Sequence, residues 1–140
     1  MMASVAVKCA DEIVAYLNGQ TIGDMTLPCV RKLVPDQNLA SVKTLQLMVV
    51  PHSLDSRIVA RGGVKERVVR VDVGVVKRAA ESELEGLLDL AQGIGDLLEG
   101  HVFASGICIE VSYAPLYDAE FWLQQQSFFA VIVAKIKVLS

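Results

Sequence analysis

Between Arg67 and Arg78 the chain reads R-V-V-R-V-D-V-G-V-V-K-R, with β-branched Val69, Val71, Val73 and Val75 alternating with Arg70, Asp72 and Gly74. Apolar residues at every second position predict a strand with one face in a core and the other outside it. A second periodicity precedes it. Ala6, Ala10, Ile13, Val14 and Leu17 fall on one helical stripe, which predicts a helix over 4–18 with Ser4 as cap and Asn18-Gly19 as stop. Thr21 to Asp24 read as a turn. Residues 26–34 read as extended, and Pro28, which cannot donate to a ladder, assigns them to an edge or an outlying arm. Over 44–50, Leu45, Leu47 and Val49 share one strand face while Gln46 and Met48 share the other.

Residues 51–65 hold Pro51, Gly62-Gly63 and the cations Arg57, Arg61 and Lys65, and keep neither period. They read as a long connection between paired strands, either a protruding hairpin or a loop. Loops beyond about 12–15 residues are usually functional or disordered. After the valine strand a helix is predicted over 81–99. Ser82 and Glu85 have capping-box spacing, and Leu84, Leu87, Leu88, Ala91, Ile94, Gly95 and Leu98 form the stripe. Leu90 and Leu97 fall off that stripe, toward a neighbour. Gly86, Gly93 and Gly95 each cost the helix about 0.5–1 kcal/mol relative to alanine, so close packing must offset them.

Residues 107–113 alternate again, with Ile107, Ile109, Val111 and Tyr113 inward and Cys108, Glu110 and Ser112 outward. An irregular connection over 114–125 carries Tyr117, Phe121 and Trp122. The last strand, 127–138, is apolar on both faces up to Ala134, as suits a strand covered on both sides. The order α-β-β-β-α-β-β predicts an α+β fold: a mixed or antiparallel sheet of about four to five strands, with two helices packed on one face.

Composition narrows the functional classes. A chain of 140 residues fits one domain, and 53% hydrophobic residues with a mean hydropathy of +0.46 exceed what so small an interior hides. The excess points to subunit contacts. A net charge of −3 does not suggest nucleic-acid binding. No apolar run reaches the roughly 18–20 residues of a membrane span, and no signal-peptide pattern opens the chain. Cys9, Cys29 and Cys108 lack metal-type spacing and read as buried free thiols.

Catalytic patterns are sparse. His52 and His101 stand alone as ordinary loop residues. His52, Ser53 and Asp55 are triad types, but adjacency does not make triad geometry. Acids at 81–85 suit a helix start. Gly93-Ile94-Gly95 lies inside a helical pattern and makes no phosphate-binding turn. Arg57, Arg61, Lys65 and Arg67 are either a solvated basic loop or a contact for DNA backbone or an acidic partner. No aromatics interleave with them, so base stacking is not expected. On these residues an enzyme is disfavoured, and no cofactor or metal is called for.

The succession of segments carries a resemblance. A D-E-I-V-A-Y-L-N helix (11–18) leads through an extended arm to a strand closing in V-V-P (49–51). A connection with Ser-Arg (56–57) and Arg-Gly (61–62) follows, then V-D-V-G-V-V-K-R (71–78), an amphipathic helix and two strands, the last with phenylalanines (127–138). Over most of the chain this resembles the tail terminator, or tail completion, proteins of long-tailed bacteriophages and prophages. The T-L-P-C-V arm departs from the family, where a more aromatic segment is expected.

The resemblance implies a virion protein assembled in the bacterial host cytoplasm as a ring, typically a hexamer. That ring caps the tail tube, stops polymerisation of the major tail tube protein and offers a surface to the head-tail connector. DNA passes its lumen without sequence recognition. The contact candidates are Arg57, Arg61 and Lys65 on the basic connection and Tyr117, Phe121 and Trp122 on the aromatic one. Two other readings stand beside it: another phage neck or head-completion protein, and a small-molecule-binding α+β regulatory domain.

Overall fold

The computed structural model describes residues 4–22, 25–32, 45–60 and 62–138; for Val59, Ala60 and Val64 it describes the backbone alone. Helix α1 is Val5–Leu17, and the Ser4 hydroxyl accepts a hydrogen bond from the Val7 N–H at 3.2 Å, the expected cap. Gly19 follows at φ +86°, where a side chain would be strained. Strands β1 (Thr21–Ile22) and β2 (Met25–Thr26) then pair antiparallel, so Thr21 and Ile22 are strand rather than turn, while Gly23 and Asp24 of the predicted turn lie outside the described residues.

The main sheet has the order β3-β4-β5-β7-β6, built from β3 (Cys29–Arg31), β4 (Gln46–Ala60), β5 (Val64–Arg78), β6 (Gly106–Tyr113) and β7 (Ser127–Val138). β3 is the edge strand that Pro28 predicts, and it runs parallel to β4. Every other pairing is antiparallel, so the sheet is mixed. The valine strand lies in its centre. Val69, Val71, Val73 and Val75 are fully buried beneath α1 and α2 (Leu84–Leu98), together with Leu47, Val49, Ile132 and Ile136.

Of the two readings of 51–65 the protruding hairpin holds: β4 and β5 continue through it as a two-stranded arm turning at Gly62-Gly63, both at positive φ. Register shifts at Pro51/Ser53 and Ile58/Ala60 insert extra residues into β4, and such bulges erase the alternation that would reveal a strand. On β6 a third bulge, between Cys108 and Glu110, leaves Ile109 half exposed and buries Cys108, the reverse of the expected facing.

Helix α2 starts differently from the Ser82/Glu85 box. A 3-10 turn at Glu81–Glu83 precedes it, and the Glu83 carboxylate accepts from the Ala80 N–H at 3.1 Å. Leu90 is buried in the core, whereas Leu84 and Leu88 are only partly covered. The 114–125 connection contains a third helix, α3 (Ala119–Gln125), capped by Asp118 through the Phe121 N–H at 2.9 Å.

Candidate assembly surfaces

The sheet has two unlike faces. α1 and α2 cover the valine face. On the other, even-numbered residues of β5 line up with odd-numbered residues of β7: Gly74 beside Val131, Asp72 beside Val133, Arg70 beside Lys135. This outer face is apolar toward the start of β7, where Met48, Val50, Gly74, Phe129 and Val131 line a groove of about 260 Å³. It is charged toward the arm, where Asp55, Arg57, Glu66, Arg70, Glu110 and Lys135 line a groove of about 470 Å³.

His52 and Asp72 close the apolar groove. Asp72 joins two partners, with His52 Nδ1 and Arg70 Nε each 3.0 Å from its carboxylate oxygens. The acid facing His52 is therefore Asp72 and not Asp55. An acid-histidine pair with no hydroxyl bonded to the far ring nitrogen, among the described residues, is not a nucleophilic triad. His101 stacks on Tyr16 with ring centroids 3.8 Å apart, as a packing residue. Among the described residues no three or more His, Cys, Asp or Glu side chains gather as metal ligands. Burial pushes the Cys9 thiol up to about 11 and Cys29 up to about 12, so both stay protonated and unreactive at neutral pH.

The arm carries the first predicted contact set. Arg57 bonds Glu66 across the hairpin at 3.0 Å, and that hydrogen bond, with the guanidinium charge, holds the Glu66 carboxyl below its ordinary value. Lys65 pairs opposite Ile58, one register step away, so Lys65 and Arg57 turn to opposite faces of the arm. Arg61 lies outside the described residues. The second set sits at α3 and is largely engaged within the chain. Tyr117 stacks on Phe128 at 5.9 Å, Phe121 meets Phe129 at 5.7 Å, and Trp122 Nε1 donates to the Ala79 carbonyl at 2.9 Å. Beside them Leu123 is 68% exposed, and on the arm Ile58 is 69% exposed. Sequence reasoning did not single out these aliphatics. A leucine or isoleucine gives no sign of exposure until its element is placed.

Among the described residues, the sheet also leaves two backbone edges without a strand partner. β3 pairs only with Leu47, Met48 and Val49, so the rest of β4 has β5 on one side and no strand on the other among the described residues. At the far side, β6 is closed near its start by the 100–103 return, where Cys108 N–H donates to His101 O, and is open from Ile109 onward.

No protein-family model matches this chain, and no curated protein matches it. Solved structures do. A chain from the virion of a native gene transfer agent particle superposes with a TM-score of 0.57 at 14% identity, covering 98% of this chain and 98% of its own length. A second solved protein, known by a serial designation, aligns at a TM-score of 0.59 and 16% identity over 100% of this chain and 98% of its own. At such identities the likeness is one of fold, and it spans the chain end to end.

Proposed function

We propose that this chain is a structural protein of a phage-like virion, and that within it the chain serves as the tail terminator. The observation that carries the reading is the end-to-end fold likeness to a chain of a gene transfer agent virion. The segment succession described for the sequence supports the finer role. In this reading copies of the chain close into a ring, typically a hexamer, on the end of the tail tube and block further subunit addition. The ring's other side receives the head-tail connector, and DNA passes the lumen without sequence recognition. The arm, with Arg57, Arg61 and Lys65, and the α3 corner, with Tyr117, Phe121 and Trp122, serve as contact surfaces. The work is done by shape and assembly rather than by catalysis, and requires no cofactor.

A ring demands heterologous contacts, a different patch on each side of one subunit. Two unlike sheet edges and a face split into apolar and charged halves supply them. Adding the purified chain to polymerising tail tube protein tests the role. Tubes that stop growing and carry a cap at one end are expected. Unchanged growth contradicts the terminator role, and binding to connector-bearing heads without any effect on tubes reassigns the chain to head completion.

A further inference from the structure

Among the described residues, the open edge of β4 has a regular set of backbone groups with no strand partner. Leu47 N–H donates to Pro28 O at 3.1 Å, and Val49 O accepts from Lys32 N–H at 2.9 Å, so these residues turn their backbone groups away from β5. The bulge between Pro51 and Ser53 shifts the parity by one. Past it, strand geometry turns the N–H and C=O groups of Leu54, Ser56 and Ile58 outward. On β6, Ala114 N–H donates to Val131 O at 2.9 Å, which sets Ser112 and Glu110 toward β7 and leaves Val111 and Tyr113 facing outward.

Exposed edges template pairing with another chain, and folded proteins blunt them with proline, lysine or cover. Between Leu54 and Ile58 there is no proline or lysine, and among the described residues no cover. Leu54 and Ile58 are 45% and 69% exposed, and the charge of Arg57 is directed to the outer face, where Glu66 meets it.

We infer that the arm edge of β4 in one copy pairs with the β6 edge of the next copy, so that the sheet runs on from subunit to subunit. This rests on the self-assembly in the proposed function and specifies its contact. Three observations favour a second copy as the occupant. β4, β5, β7 and β6 alternate in direction, so β6 runs opposite to β4, and a rotated copy brings its β4 antiparallel to β6. Outward groups recur at every second residue on both edges. An antiparallel register with Ser56 opposite Val111 also matches chemistry: Arg57 falls opposite Glu110, Asp55 opposite Ser112, Leu54 opposite Tyr113, and Ile58 level with half-exposed Ile109. In that register Arg57 and Glu110 lie on the same outer face, an opposite-charge cross-strand pair.

The test uses the full-length chain. Wild type is sized by light scattering beside Ser56→Pro, which deletes an outward donor and leaves the β5 ladder intact. A Ser56→Cys/Val111→Cys double variant is oxidised and run on a non-reducing gel next to each single variant. Antiparallel hydrogen-bonded pairs have Cα atoms about 5.5 Å apart, within disulfide reach. The expected results are an oligomer for wild type, a shift to the mass of one chain for Ser56→Pro, and a covalent ladder for the double variant alone. An oligomer that survives Ser56→Pro and gives no ladder overturns the edge pairing and leaves the assembly reading standing. Dimers from Ser56→Cys alone also overturn it, since they mark β4 paired with itself. Wild type at the mass of one chain removes the assembly reading itself. Where Ser56→Pro fails to fold, the gel decides.

Discussion

Gly106 opens β6 with the carbonyl of Lys137 pressed against the place a Cβ would occupy. That neighbour is the backbone of a central strand and cannot rotate away. Gly86, in α2, has nothing within 4 Å of the same position. One substitution should therefore act with opposite sign at the two sites. Gly106→Ala is expected to destabilise by about 1–3 kcal/mol, the cost of overpacking. Gly86→Ala should stabilise by about 0.5–1 kcal/mol, because an exposed helical glycine forfeits that much to backbone entropy. Urea melts of both variants check the pair. Gly95 is an intermediate case. The Tyr113 hydroxyl occupies its Cβ position while donating to Gln92 O at 3.3 Å, which is how the small residue lets α2 lie against β6.

Elements whose side chains kept a single period were readable in advance. The four valines of β5 face the core as predicted, α1 stops at Asn18-Gly19, and Pro28 places β3 at the edge. What was not readable was whatever shifts a period without changing composition. The bulges in β4 and β6 each insert a residue and break the alternation, so the arm could be read as a hairpin or a loop and Cys108 exchanged places with Ile109. α3, at seven residues, is too short to develop a stripe. α2 keeps most of its predicted stripe, with Leu87, Ala91, Ile94, Gly95 and Leu98 buried, but its N-terminal end is only partly covered. Leu90, off the predicted stripe, is buried in the core while Leu84 stays at the rim. Leu90→Ala is accordingly expected to cost about 2–5 kcal/mol, and Leu84→Ala clearly less, in the same melts. Equal losses would restore the predicted facing. The candidate contacts divide in the same way. Arg57 and Trp122 could be noticed as residue types, but a free strand edge belongs to the backbone, and only the sheet order exposes it.

At the scale of the whole molecule, the sheet is finished on one face and unfinished at its sides. The valine face is sealed by α1 and α2, so the core needs no partner. Among the described residues, no strand pairs with the arm edge of β4 or with the outer edge of β6 beyond Ile109, and the apolar half of the outer face forms a groove. Because the two edges differ, a contact between them repeats by rotation and either closes or extends without limit. Closure is the outcome that the proposed terminator role requires, and it would bury part of the apolar excess of a 140-residue chain. The decisive measurement is the mass of the purified protein by light scattering, joined to negative-stain images of the same sample. The account predicts one closed ring of several copies around an open centre. A particle of single-chain mass at every concentration would contradict it.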